Sequence, residues 1–399
     1  MPRQPDAPSL LAFDQYCAAA VEMNNWIISG GSVLDRSMAI CALLFKAKQL
    51  RLPVVALHCS NPFFAPEPIV RLWGAPLPAY DPLAEKTPTQ IADLLTDVGV
   101  NALDTDKRIF ILIELIAEII EAAEGSVTLP ALLDFPVSMV PKRLEQLEND
   151  DAISSQQRRA FSDRYAGAAG ECVAETRRLL SRLKNAWQSQ PRGKASLRET
   201  ITNRGIISVD LVTDTNPVMK ELLFSDVNAA MQRGDRFLLI VDGLSVLGKD
   251  SANTDMVLLR NHDNISLLYS ANDVPQMAMH KDEYFYTLTG GLANLLLFRH
   301  NNAESAKKWS NFFGQEWVTL TEESSTDSRE KYALFQGSKS TGISSHLERV
   351  DKFPPERFTD IPFGQGKGYL VHYAHTGQQE ILKSQMPILR EDVRLCLTP

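Results

Sequence analysis

Asn24-Asn-Trp-Ile-Ile-Ser-Gly-Gly-Ser-Val-Leu-Asp-Arg-Ser37 sets a short apolar run ahead of a turn that carries two glycines. Helical spacing follows from Met38 to about Leu50, and Pro53-Val-Val-Ala-Leu-His58 is a continuous apolar run. Strand, glycine turn, helix and buried strand make a βαβ unit, because parallel strands need a crossover long enough to hold a helix. The same alternation returns late in the chain. Apolar runs stand at Ile206-Ile-Ser-Val-Asp-Leu211, Arg236-Phe-Leu-Leu-Ile-Val-Asp242, Asn264-Ile-Ser-Leu-Leu-Tyr-Ser270 and Asn294-Leu-Leu-Leu-Phe-Arg299. Helical stretches at about 216–232, 252–261 and 303–313 separate them. The pattern predicts an α/β fold, a mainly parallel sheet with helices on both faces. Residues 324–345, rich in Ser, Thr and Gly, read as a loop or flexible hairpin, and Gly366 to Tyr373 as a last edge strand.

Between 84 and 205 helical periodicity dominates. Thr87-Pro88 opens one helix with a cap and a proline. Ile109 to Ile120 is apolar apart from acids, and Glu114, Glu118 and Glu121 fall on one stripe, which marks a buried amphipathic helix. Ser154 to about Trp187 reads as a single long helix. The chain therefore divides at sequence level into 1–83, an all-α domain over 84–205, and 206–399.

With 399 residues, 44% of them hydrophobic and 23% charged, the chain has ample apolar sequence for two or three cores, which excludes global disorder. A net charge of −8 argues against a wholly basic nucleic-acid coat. Charge is uneven, however. Residues 154–205 carry eleven bases against four acids, a balance of +7, whereas 84–153 carry fourteen acids against five bases. This leaves two readings of the basic stretch: solvated helix faces, or a surface for an acidic protein or nucleic acid. Cys17, Cys41, Cys59, Cys172 and Cys396 contain no CxxC pair, and the histidines have no metal-ligand spacing. No metal, zinc site or disulfide framework is expected, and a reducing compartment fits. Met1 to Pro8 lacks signal-peptide order, and the longest apolar stretch, Ile109 to Ile120, is shorter than the roughly 20 residues that span a bilayer. A cytoplasmic protein is expected.

A glycine turn after a first strand, with an aspartate ending a later buried strand, is the layout of a P-loop NTPase. That chemistry needs backbone N–H groups around phosphates, a lysine on the β/γ-phosphates, a Ser or Thr and an Asp around Mg2+, and a water-activating carboxylate. In this register Gly30 and Ser37 match the pattern. Val33 replaces an intermediate glycine, Asp35 the final glycine, and Arg36 the lysine. Asp242 is present, but Gly243 stands where the water-activating carboxylate would be. Asp35 would repel a triphosphate, and a guanidinium does not replace a compact ammonium. Arg36 would pair with Asp35 or Asp242 and fill the phosphate site. Ser37 reads equally as a backbone-capping hydroxyl or a magnesium ligand.

Asp242-Gly-Leu-Ser-Val-Leu-Gly248, Asn272-Asp-Val-Pro-Gln276-Met, Leu297 to Ala306 with Phe313-Gly314, Tyr80-Asp-Pro-Leu83 and Pro354 to Tyr373 occur in an order that resembles the coupling-protein ATPases of type IV secretion and conjugation. The likeness spans about residues 24–390. It implies a RecA-like motor fold interrupted by an all-α domain that chooses substrates and binds accessory proteins. It puts Gly30, Gly31, Asp35, Arg36, Ser37, Asp242, Gly243, Asn272 and Arg299 in a degenerate nucleotide pocket. It also makes Arg158, Arg159, Arg177, Arg178, Arg182 and Lys184 the partner-binding candidates. The expectation is a catalytically inactive pseudo-ATPase that serves as an adaptor for secretion or conjugation proteins or their substrates. It would have no catalytic residues and no resident cofactor, ATP with Mg2+ being relevant only to a competent pocket. Nucleic-acid binding would be weak and salt-dependent. A monomer or hetero-complex is favoured over a homohexamer, with peripheral inner-membrane association through partners. The alternative is an active, divergent coupling ATPase that moves DNA or protein and draws its carboxylate from Asp273 or Glu283.

Overall fold

Trp26–Ser29 forms β1 and Val54–His58 forms β2, both fully buried, with the helix Val33–Gln49 between them. In this computed structural model the described residues are 25–74, 77–168, 170–188, 193–212, 216–244, 264–278, 282–290, 294–328, 338–373 and 379–385. The expected helix at 252–261, positions 245–248 of the motif that starts at Asp242, and the first eight residues lie outside them. Two units are distinguished: Met1–Phe298 with Phe363–Pro399, and Arg299–Pro362.

The first unit is built on an eight-stranded sheet in the order β10-β9-β6-β1-β5-β4-β2-β3. The other strands are β3 (Ile206–Asp210), β4 (Phe237–Asp242), β5 (Ile265–Ala271), β6 (Asn294–Leu297), β9 (Lys367–Tyr373) and β10 (Gln379–Gln385). β1 to β6 pair with one another in parallel, and β9 pairs antiparallel with both β6 and β10. The apolar runs are continuous because a parallel strand between helices is buried on both faces. Ile28, Ile40, Leu44, Val54, Ile240, Leu268 and Leu296 meet in one core. Each such side chain contributes about 1.5–3 kcal/mol when fully buried. β9 is not the edge strand that the sequence suggested. β10 pairs along its whole length and takes the outer position.

Among the described residues from Pro88 to Thr202 the regular elements are all helical. Helix Pro88–Leu103 starts on a Thr87–Gln90 capping box, and Ile109–Glu124 buries its apolar side. The acid stripe on the second helix has a partner: Arg164 reaches both Glu114 and Glu118. The single long helix expected over 154–187 is instead two, Ser155–Gly167 and Gly170–Trp187. Ala168 between them is extended, and the flanking glycines weaken helical continuity there. The chain enters this region through a buried polar knot. The Tyr80 hydroxyl donates to Asp226, Lys86 pairs with Asp226, and Asp81 accepts from the Leu83 and Leu129 N–H groups. Burial raises the Asp81 carboxyl to about 6, against the pull of those two N–H donors and Lys86.

The second unit packs helix Ala303–Phe313 with Phe353 and Phe358. Trp309 and Phe313 are buried and pack within this unit. β7 (Gln315–Ser328) and β8 (Ser338–Asp351) pair antiparallel throughout, so most of the stretch 324–345 is regular strand.

Candidate functional site

The carboxyl ends of β1, β5, β4, β2 and β3 lie side by side. Asp210, His58, Asp242 and Ser270 are register partners across β3, β2, β4 and β5. Ligands of open α/β sheets sit at this end, where neighbouring loops part.

The turn after β1 is shorter than the sequence suggested. Gly30 and Gly31 both have left-handed backbone, at φ 82° and 72°. A Cβ on Gly31 would stand 2.7 Å from the Phe298 Cβ, so only glycine fits there. Ser32 is then the N-cap, and the helix is under way at Val33. Residues 33–36, which would have to form open loop to wrap a phosphate, are instead the first helical turn. A capping box causes this early start. The Ser32 Oγ accepts from the Asp35 N–H, and the Asp35 carboxylate accepts from the Ser32 N–H and Oγ.

Asp35 also gathers a second segment. Its Oδ2 accepts from the Gly364 N–H at 2.9 Å and its Oδ1 from the Gly366 N–H at 2.7 Å. Gly364 and Gly366 are left-handed, which points alternate N–H groups into a concavity that suits an anion. The anion here is the protein's own carboxylate, at the start of a helix whose dipole favours it.

Arg36 is buried and closes no ion pair with Asp35 or Asp242 among the described residues, contrary to the expectation from sequence. Its Nη1 donates to the carbonyls of Gly30 (3.3 Å) and Gly31 (3.0 Å). Helical geometry explains the difference: Arg36 rises from the first turn and folds back onto the carbonyls of the glycines beneath it. Burial pushes its pKa down, opposed by attraction to Asp242, Asp35 and Asp273. The charge therefore neutralises the site from a short distance without a direct bridge.

Asn61 occupies the position between Ser37 and Asp242. Its Oδ1 accepts from the Ser37 Oγ at 3.2 Å and from the Phe63 N–H at 3.0 Å, while its Nδ2 donates to the Asp242 Oδ2. His58 steadies it by accepting the Asn61 N–H on Nδ1, and contacts Ser208 through Nε2. That pattern fixes the neutral tautomer with its proton on Nε2. Burial lowers the His58 pKa, opposed by Asp210 and Asp242. Asn61 and His58 were not among the sequence candidates.

Gln276 folds over the end of β4. Its Nε2 donates to the Gly243 carbonyl at 2.7 Å and its Oε1 accepts from the exposed Asn272 N–H. Asp273, offered as an alternative carboxylate, accepts from the Gln276 N–H on Oδ1, a capping role. The Glu283 side chain lies outside the described residues. Arg299 is half-buried and is the first residue of the second unit.

The group that the P-loop layout implies is a magnesium–triphosphate. The residues present do not fit it. The N–H groups of Gly30, Ser32, Asp35 and Arg36 are bonded internally, a carboxylate lies in the anion position, and an amide spans the hydroxyl and carboxylate that would share a cation. Among the described residues no cluster of His, Cys, Asp or Glu could hold a metal ion, and no helix is long and apolar enough to cross a membrane.

Of the basic candidates, Arg158 pairs with Glu148 and Lys184 with Asp134. Arg159, Arg177, Arg178 and Arg182 are exposed and unpaired among the described residues.

No family model matches the chain, and no curated protein matches it. Solved structures do. The unbound monoclinic form of the bacterial conjugative coupling protein TrwBdeltaN70 superposes with a TM-score of 0.56 at 13% identity, over 92% of this chain and 86% of that one. The plasmid coupling protein TrwB in complex with ADP and Mg2+ gives 0.55 at 13%, over 94% and 88%. TrwB in complex with the non-hydrolysable GTP analogue GDPNP gives 0.56 at 13%, over 92% and 86%. The chain thus has the coupling-protein fold, a RecA-like, mainly parallel sheet with helices, as the order of motifs implied.

Proposed function

We propose that this chain is a nucleotide-independent scaffold with coupling-protein architecture. It acts as a cytoplasmic adaptor that recruits substrates or partner proteins to a type IV secretion or conjugation apparatus. The observation that carries the reading is the Asn61 amide held between Ser37 and Asp242. An amide can satisfy both groups because its oxygen accepts from the hydroxyl and its N–H donates to the carboxylate, which engages the two groups that would otherwise share a cation. Asp35 supports the same reading at the phosphate end, where a fixed carboxylate uses the donors that an anion would need. TrwB, with the same fold, has been solved with nucleotides and with Mg2+. Here the architecture is kept while its site is used internally, and fold and function separate in this way in many families. A monomer or a hetero-complex follows, since no nucleotide is available to join subunits.

Purified protein, alone and with DNA, is expected to release no phosphate from ATP above background. Turnover that disappears in Asp242→Asn would defeat the proposal in favour of an active, divergent coupling ATPase.

A further inference from the structure

Helix Gly170–Trp187 is amphipathic in an unusual way. Leu179, Leu180 and Leu183 bury one side. The other side shows Ala174, Arg177, Arg178, Ser181, Arg182 and Asn185 to solvent. Nearby bases are used within the fold: Arg158, Arg164 and Lys184 all have carboxylate partners. Arg177, Arg178 and Arg182 have none among the described residues. Arg178 and Arg182 are one helical turn apart on the same face, where like charges repel and weaken a helix. Folding therefore gains no ion pair from this row.

We infer that this face of helix Gly170–Trp187 is a docking surface for an acidic helical segment of a partner protein, gripped by Arg177, Arg178 and Arg182. The inference deepens the adaptor reading above and rests on it. Three guanidinium forks over two turns match carboxylates at helical spacing, and each fork can hold a carboxylate through paired N–H donors. The short side chains of Ala174, Ser181 and Asn185 between them let a second helix come close. Two observations favour a protein over nucleic acid. The face carries no aromatic side chain on which a base could stack. The chain as a whole is −8, so a long polyanion meets net repulsion beyond the patch, whereas a short acidic helix samples only the local field.

The test uses the full chain without nucleotide, so that failure here is separable from failure of the pseudo-ATPase reading. Fluorescence anisotropy would follow three labelled probes at low salt. They are an amphipathic helical peptide with glutamates on one face, its glutamine counterpart, and single- and double-stranded DNA oligonucleotides. The glutamate peptide is expected to bind, the glutamine peptide to bind on the order of tenfold more weakly, and salt to weaken the former. The triple variant R177E/R178E/R182E is expected to lose on the order of tenfold or more in affinity for the glutamate peptide while it keeps the circular-dichroism spectrum of the parent. R233E, on an exposed arginine paired with Asp235, serves as the charge control and should bind like the parent. Equal binding by the triple variant, no binding of the acidic peptide by the parent, or tighter binding of DNA through the same arginines would each overturn the inference.

Discussion

Asp35→Ala is expected to destabilise the protein by about 3 kcal/mol, one of the largest effects of any single truncation around the turn. The side chain is small, but four donors converge on it: the Ser32 N–H and Oγ, and the Gly364 and Gly366 N–H groups. Truncation removes the reciprocal half of the capping box of helix Val33–Gln49, while the Ser32 Oγ still accepts from the backbone N–H at position 35. It also strands the buried Gly366 N–H, at about 1–3 kcal/mol where no other partner is found, whereas the exposed Gly364 can turn its N–H to water. Urea denaturation would give the total. Hydrogen exchange gives the specific signature, since the amides of Gly364 and Gly366 should lose protection before the sheet does. Asp35→Asn should fall between the parent and the alanine variant, because one acceptor oxygen remains. A loss below about 1 kcal/mol with those amides still protected would mean that the carboxylate does not hold the segment.

Asn61→Asp is the second large effect, and it asks directly whether the amide stands where a cation would. The substitution keeps the shape and keeps an acceptor for Ser37 and the Phe63 N–H. It replaces the donor to Asp242 with a second carboxylate oxygen. Two buried carboxylates at contact cannot both ionise without strong cost, and about 3 kcal/mol or more of stability should be lost at neutral pH. Two treatments should restore it. Acidification protonates one carboxyl and remakes a hydrogen bond. Millimolar Mg2+ or Mn2+ supplies the missing positive charge between two carboxylates and a hydroxyl. The parent protein should show no response to the cation, and on acidification only the contribution of the raised Asp81 carboxyl that both proteins share. Thermal melts of parent and variant, with and without the cation, measure both. A variant as stable as the parent without cation would show that Asn61 is not wedged against Asp242.

The fold was readable because its signals are local. Val54 to His58 and Phe237 to Asp242 are continuous apolar runs, and such runs can lie only in a sheet covered on both faces. Thr87 to Gln90 spells out its own cap. The early start of helix Val33–Gln49 was also written locally, as Ser32-x-x-Asp35 ahead of an apolar run. Read only in P-loop register, Asp35 is a misplaced glycine; read as a capping box, it begins a helix. The break at Ala168 had a local sign as well, in Gly167 and Gly170.

The remainder was out of reach for a different reason. Asn61 follows β2 as an ordinary turn residue, and nothing near it announces that its amide will meet Asp242, 181 positions away. Gly364 and Gly366 are 329 and 331 positions from Asp35, and glycines in a turn do not say which carboxylate their N–H groups will find. Arg36 was assigned an ion pair on charge alone. Its place in the first helical turn, which set its real partners, depended on where the helix began.

Isothermal titration calorimetry of the parent protein with ATP and with ADP, each at millimolar Mg2+, tests the central claim most directly. The account predicts no saturable heat and no thermal stabilisation, because the donors and the cation position are already used by Asp35 and Asn61. Micromolar binding that weakens in Ser37→Ala, with nucleotide and magnesium displacing Asn61 from Asp242, would contradict it.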